Sequence, residues 1–374
     1  MEKNLQQSSI RVIISGGGTG GHVFPALAIA NALKKINPSN EILFVGAVGR
    51  MEMEKVPAAG YKIEGLWISG FQRKLTLDNL SFPFKLISSL WKAAKIIKRF
   101  KPDVAVGVGG YASGPLLQKA AGYKVPCLIQ EQNSYPGITN KILAKQVDTI
   151  CVAYDGMEKY FPASKIKKLG NPVRADILNI EGKKSEAVKF FGLDENKKTV
   201  LVVGGSLGAR TINLSILNKL AQFKDKNVQL IWQTGKAFYT QAVEAASGYE
   251  NIKVYDFITK MDLAFAVAEV VISRAGASTI SELCIAGKPC LLVPSPNVAE
   301  DHQTKNAMAL VNVGAAILIK DSEADTKLVY QTLELLNNTK SLQQLIQNIK
   351  KLALPDSAIK IANEVIELAI KNKK

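Results

Sequence analysis

Histidine and paired cysteine are what this sequence has least of, and their scarcity narrows its chemistry. Only two histidines occur, His22 and His302, and the four cysteines (Cys127, Cys151, Cys284, Cys290) make no CxxC pair and no metal-ligand spacing. The expected setting is therefore a reduced, cytoplasmic one, with no bound metal. The opening MEKNLQQSSIR is polar and has no apolar signal core, so export is not expected. A GxxxxGK[ST] phosphate loop is missing, which excludes a P-loop enzyme. Zinc-finger spacing and RRM-type aromatic motifs are missing too, so the net charge of +16 does not point to nucleic acid. An anionic membrane surface or a phosphorylated small molecule remains as its partner. One uncharged stretch, Val12 to Leu33, is long enough to span a bilayer. Its glycines, Thr19, His22, Pro25 and Asn31 would leave backbone poorly satisfied in lipid, so a span is rejected.

The chain has 374 residues, 47% hydrophobic and 21% charged, a globular composition with room for two domains. Its organising stretch is Arg11 to Leu33. An apolar run (Val12, Ile13, Ile14) leads into Gly16–Gly21, of which only Thr19 is not glycine, and then into helically spaced Val23, Leu27, Ala30 and Leu33. Strand, tight loop and helix in that order place unpaired backbone N–H groups where an anion can approach them. Gly16-x-Gly18-x-x-Gly21 also satisfies the dinucleotide fingerprint, but a nicotinamide oxidoreductase needs an acid at the end of the second strand. That strand ends FVGAVGR, with no acid before Glu52.

Further apolar runs follow at Glu41–Val45, Asp103–Val108, Pro126–Ile129 and Thr149–Ala153, with helical patterns between most of them, which predicts a parallel sheet. From Phe161 to Asp194 the pattern lapses into Pro, Gly and charge, and it restarts at Thr199–Val203 with a second glycine loop, Gly204 to Gly208, and a helix over 209–220. Strands are predicted at Val228–Trp232, Ile252–Tyr255, Val270–Ile272, Pro289–Val293 and Ala315–Ile319. Two glycine-loop α/β halves predict an α/β protein of two Rossmann-like domains with parallel sheets facing across a cleft. The expected domains are residues 1–165 and 166–356, with a basic-ended amphipathic helix over 357–374 packing back on the first.

In the second half SRAGASTISE, Ser273 to Glu282, reads as strand end, small-residue turn and helix start. This is another anion site, with Glu282 two turns along, where it could accept bonds from ribose hydroxyls or simply face solvent. The polar loop NVAEDHQTKNA with Asp301, His302 and Gln303 follows the next strand, at the ligand end of this architecture. Between Arg73 and Lys101 eight basic residues meet one acid, Asp78, among Phe82, Phe84, Leu86, Ile87, Leu90 and Trp91. Such a mixture suits an anionic bilayer surface, and equally an amphipathic helix whose apolar stripe is core.

GGGTGGHVFPALAIANAL, GVGGYASGP (Gly107–Pro115), QEQNSYPGITN (Gln130–Asn140), GNPVR (Gly170–Arg174), GGSLGAR (Gly204–Arg210), SRAGASTISE and AEDHQTKNA resemble, in order and spacing, one family. It is the bacterial UDP-N-acetylglucosamine:undecaprenyl-pyrophosphoryl-muramoyl-pentapeptide N-acetylglucosaminyltransferases of the MurG type. The resemblance covers nearly the whole chain, with Leu207 where many relatives carry Gln. It implies a GT-B fold, no cofactor, and inverting transfer of GlcNAc from UDP-GlcNAc to the 4-hydroxyl of MurNAc on lipid I, giving lipid II. It further implies that Ser206 and Arg174 meet the diphosphate, that the Ile258 backbone meets uracil, and that Ala277, Ser278, Thr279, Ile280 and Ser281 cap the phosphates. Glu282 would hold the ribose, Gln303 and Asn133 the GlcNAc hydroxyls, and Thr19, Gly20 and Gly21 would border the donor from the other domain. His22 has a suitable unperturbed pKa for a general base and otherwise positions the loop or the acceptor diphosphate. Asn133 and Glu131 could instead position the acceptor.

A lipid-linked acceptor places the protein peripherally at the cytoplasmic face of the inner membrane, docked through Phe82, Phe84 and Trp91 with Lys85, Lys92 and Lys95. Competing readings are a UDP-GlcNAc 2-epimerase, a nicotinamide oxidoreductase and a non-catalytic nucleotide-sugar binder.

Overall fold

Strands buried on both faces need apolar side chains at successive positions, and the first strand shows why the chain begins as it does. Val12, Ile13 and Ile14 are each 0% exposed. Ile13 packs into the core on one face of the sheet, while Val12 and Ile14 pack into the core on the other. The structure is a computed structural model describing residues 9–70, 81–205 and 208–372.

The described chain divides into two units, residues 1–174 with 355–374, and residues 175–354. The first contains the parallel strands β1 (Arg11–Ser15), β2 (Glu41–Ala47), β3 (Lys62–Leu66), β4 (Val104–Gly107), β5 (Cys127–Glu131), β6 (Thr149–Val152) and β7 (Ile166–Lys168), in the order β3-β2-β1-β4-β5-β6-β7. Its helices are α1 (Gly20–Ile36), α2 (Glu52–Ala58), α3 (Phe82–Phe100), α4 (Ser113–Gly122) and α5 (Ile138–Leu143). The strand order reverses between β1 and β4, where Ser15 lies opposite Gly107. The loops leaving these two strands therefore diverge at a topological switch point, where open α/β sheets bind ligands.

The second unit repeats the plan with β8 (Lys198–Val203), β9 (Val228–Gln233), β10 (Ile252–Tyr255), β11 (Val270–Ser273), β12 (Cys290–Leu292) and β13 (Ile317–Leu318), ordered β10-β9-β8-β11-β12-β13. Its helices are α6 (Lys184–Phe191), α7 (Arg210–Leu217), α8 (Leu220–Asp225), α9 (Lys236–Ala246), α10 (Met261–Val267), α11 (Ala277–Ala286), α12 (His302–Val311), α13 (Ala324–Asn337) and α14 (Thr339–Lys350). The switch point lies between β8 and β11, where Val203 is opposite Ser273.

Helix α15 (Ser357–Lys371) belongs to the first unit. Its Ile361, Ala362, Val365, Ile366 and Ala369 are buried at helical spacing in one core with Val23, Ala26, Leu27 and Ala30 of α1. No described helix is long and apolar enough to cross a membrane.

Two strands carry no apolar run in the sequence. β3 reads KIEGL and β7 reads IKK, and both are sheet edges, where one side of the strand stays wet. The division after Arg174, in place of the expected one after residue 165, keeps β7 with the first sheet. The helix predicted over 209–220 is two, α7 and α8, which break at Asn218 and Lys219.

Candidate active site

In the second unit the turn from β8 into α7 needs glycine for close approach. A Cβ at Gly204 would lie 2.7 Å from Ala209 N, and one at Gly208 (φ +78°) 2.3 Å from Thr234 O. Gln233, at the end of β9, braces this turn. Its Nε2 donates to Gly205 O (3.2 Å), and its Oε1 accepts the Ile258 N–H (2.9 Å).

Across the switch point α11 begins after Gly276 with no capping side chain and no acid in its first turn. Its leading N–H groups and positive dipole end are thus available to an anion. Ser278 Oγ is buried there, with no hydrogen-bond partner among the described residues. The loops enclose a cavity of about 530 Å³ whose lining includes Gly205, Arg210, Arg274, Thr279, Gln303 and Asp321. Arg274 donates to Asp321 and to the carbonyls of Val293 (3.1 Å) and Pro294 (3.2 Å), and Thr211 Oγ1 donates to Asp321 (2.9 Å). Asp321 therefore clasps the start of α7 to the β11 loop. Gln303 is fixed at the wall by the Ser295 N–H, which donates to its Oε1 (2.9 Å).

In the first unit the glycine loop lies against the loop after β4. A Cβ at Gly109 would fall 2.7 Å from His22 Nε2, and one at Gly110 2.4 Å from Gly17 O. Ser113 Oγ lies 2.9 Å from the carbonyls of both Ser15 and Gly109, binding the two strand ends. His22 Nδ1 lies 3.1 Å from Gly17 O and 3.2 Å from Thr19 Oγ1. The Gly18 N–H, a donor expected to face an anion, is given instead to the buried carboxylate of Glu52 (2.8 Å). Farther along the sheet Glu131, 2% exposed, accepts from Asn133 N and Nδ2, Gly137 N and Asn140 Nδ2, which fixes the QEQN loop.

The first unit therefore holds Thr19, Gly20, Gly21, His22, Asn133 and, at the end of its first segment, Arg174. The second holds Ile258, Ala277–Glu282 and Gln303. Of the expected donor contacts, Thr279 and Gln303 line the cavity. Ala277 and Ile280 are buried, Ile280 in the core, so its side chain is not available to a ligand. Ser281 Oγ donates to Ala277 O (3.0 Å), and Glu282 is half-buried in the second turn of α11. Because Gln233 already takes the Ile258 N–H, a backbone contact there falls to the carbonyl. Ser206 lies outside the described residues, as does Leu207.

On α3 the helical period separates the expected membrane residues. Phe82 and Leu86 turn inward with Ala93, Ile96 and Ile97. Phe84 (71% exposed), Ile87 and Trp91 (70%) face outward with Lys92 and Lys95. Lys85 is half-buried, 3.3 Å from Ser69 Oγ and over the Trp67 ring. Arg274, Asp321, Thr211 and Gln233 escape the sequence reading because their partners are distant in the chain. Arg274 and Asp321 are 47 positions apart.

Two Rossmann-like units, each with its ligand loops at its own switch point, make the GT-B architecture. Residues 12–152 match the glycosyltransferase family 28 N-terminal domain, and residues 199–361 match the family's C-terminal domain. The chain is 58% identical over 369 residues to the UDP-N-acetylglucosamine--N-acetylmuramyl-(pentapeptide) pyrophosphoryl-undecaprenol N-acetylglucosamine transferase of Cytophaga hutchinsonii, spanning 99% of this chain and 100% of that one. It is 57% identical to the Bacteroides fragilis protein of the same name, over 98% of both. Among solved structures it matches Acinetobacter baumannii MurG with a TM-score of 0.76 at 28% identity, covering 96% and 99% of the two chains. A UDP-N-acetylglucosamine 2-epimerase at 15% identity and TM-score 0.68 shares the fold alone. The chain belongs to glycosyltransferase family 28, in the family of the MurG transferases.

Proposed function

We propose that this chain transfers GlcNAc from UDP-GlcNAc to the 4-hydroxyl of MurNAc on undecaprenyl-pyrophosphoryl-MurNAc-pentapeptide, lipid I, with inversion, forming lipid II for peptidoglycan synthesis. The observation that carries this reading is the full-length identity of more than half the residues with relatives of that name. In the step, the acceptor oxygen attacks C1 of GlcNAc, the C1–O bond to the diphosphate breaks, and UDP leaves with the electron pair. His22 takes the hydroxyl proton. The α11 N-terminus, Ser278, Thr279, Ser206 and Arg174 answer the charge on the departing diphosphate with donors and dipole already oriented. Glu282 holds the ribose, the Ile258 carbonyl the uracil, and Gln303 and Asn133 the GlcNAc hydroxyls. Thr19, Gly20 and Gly21 are substrate contacts of the first unit.

An epimerase acts on UDP-GlcNAc without an acceptor, whereas a transferase is silent until acceptor is added. Incubation with UDP-GlcNAc alone should leave it intact, and UDP should appear only on addition of a short-chain lipid I analogue. Acceptor-independent consumption would overturn the assignment.

The outward face of α3 supports docking to the cytoplasmic face of the inner membrane. Phe84, Ile87 and Trp91 enter the interface while Lys92 and Lys95 meet anionic headgroups. K92E/K95E should lose binding to phosphatidylglycerol vesicles and keep its affinity for UDP. Unchanged vesicle binding would remove α3 from the docking surface.

A further inference from the structure

Glu52 opens α2 and yet is only 1% exposed. Its Oε1 accepts the Ala47 N–H (3.0 Å) and its Oε2 the Gly18 N–H (2.8 Å). The loop is shaped to admit this carboxyl, because a Cβ at Gly17 would lie 2.2 Å from Oε1 and one at Gly46 2.5 Å from Cγ. Among the described residues Glu52 makes no ion pair, so its charge is met by two backbone N–H groups.

One of those N–H groups belongs to the Gly17–Gly18 peptide, whose carbonyl, Gly17 O, lies 3.1 Å from His22 Nδ1. A carbonyl oxygen can only accept, so this contact requires the proton on Nδ1. The neutral imidazole then carries its lone pair on Nε2. Thr19 Oγ1, 3.2 Å from the same nitrogen, can accept a share of that proton. Hydrogen bonds in series polarise one another. A carboxylate drawing on the Gly18 N–H makes Gly17 O a stronger acceptor and favours the imidazolium.

We propose that Glu52 is a positioning residue for His22, acting through the Gly17–Gly18 peptide to fix the Nδ1–H tautomer and keep Nε2 basic. The inference rests on the transferase reading only in giving that Nε2 a proton to take. Among the described residues, three neighbouring charged or titratable groups pair elsewhere or face solvent. Arg50, before α2, is exposed, and Lys55 pairs with Glu54 at the surface (2.8 Å). Tyr111, after β4, packs its ring against Gly70 and is 46% exposed.

With two histidines in the chain, the test is nitrogen-15 NMR of the imidazoles across pH, with H302Q identifying the His22 signals by elimination. The unaltered protein should show a pyrrole-type Nδ1 and a pyridine-type Nε2 in neutral His22. E52Q should lower the His22 titration midpoint and mix the tautomers, and E52D, which keeps the charge, should fall between. In the transfer reaction E52Q should lose about ten- to a hundredfold in kcat, by analogy with metal-bound histidines deprived of their orienting partner, with the KM for UDP-GlcNAc unchanged. A merely structural role would reduce the folded fraction without moving the midpoint. An Nε2–H tautomer in the unaltered protein, or an unmoved midpoint in folded E52Q, would overturn the proposal. Neither readout depends on turnover, so a failed transfer assay with these shifts intact would count against the transferase reading alone.

Discussion

Asp321 shows how one side chain can set a binding surface without belonging to a motif. It receives both Arg274 and Thr211, so the β11 loop and the first turn of α7 depend on the same carboxylate. Arg274 and Asp321 have side chains only 17% and 20% exposed, so removing the acid leaves a guanidinium poorly hydrated and unpaired. D321A should weaken UDP binding about tenfold, equivalent to about 1.4 kcal/mol, by calorimetric titration. An unchanged UDP affinity would show that the clasp does not shape the nucleotide surface. The motif SRAGASTISE marks a helix start suited to an anion and even contains Arg274, but nothing near Asp321 in sequence marks it as the partner. Glu52 was visible for the opposite reason. It stood out as the acid that arrives too late for a dinucleotide ribose, and the fold puts it under the glycine loop instead. The cysteines carry no such surprise. All four are buried, and burial pushes the Cys127 and Cys284 thiols up to about 12, so they are core side chains.

Among the elements, the central strands were legible because parallel strands covered on both faces must be apolar throughout, as Val200, Leu201 and Val202 are. β3 and β7 were not, since an edge strand tolerates Lys62, Glu64, Lys167 and Lys168. Helix α3 was legible as amphipathic, but which face is buried depends on its phase against the core. That phase turned Phe82 inward and left Phe84 outside.

The turn from α11 into β12 carries a half-buried lysine. Lys288 Nζ donates to Ala268 O (2.8 Å), just beyond the C-terminal end of α10. Burial holds its pKa down to about 8 despite nearby Glu269. Above pH 8 the native chain releases this proton while the unfolded chain, with an ordinary lysine near 10.5, still holds it. The Lys288 contribution therefore grows more favourable as pH rises from about 8 towards 10.5, by on the order of 1 kcal/mol per pH unit. Urea titrations at pH 7.5 and 9.5 should show the wild type gaining stability relative to K288M. A pH-independent difference would mean that Lys288 stays charged in the native protein.

At the scale of the whole molecule, the two glycine-loop halves announce a duplicated α/β plan, and each half was readable because its switch-point loop is continuous in sequence. The join was harder to read. The lapse from Phe161 to Asp194 conceals an edge strand. The residues expected at the donor site were likewise assigned without their packing. Ile280 serves the core and the Ile258 N–H serves Gln233, and both follow from packing that no motif encodes.

In the proposed reaction a sugar moves onto a lipid-linked acceptor, with leaving-group charge met by backbone donors and a helix end. The most direct measurement supplies UDP-GlcNAc labelled in the sugar, together with a short-chain lipid I analogue and EDTA, and follows label and UDP together. Label should enter the lipid phase in a one-to-one ratio with UDP released, at a rate that EDTA leaves unchanged. UDP-GlcNAc binding with no label in the lipid phase, or transfer abolished by EDTA and restored by a divalent cation, would contradict the proposal.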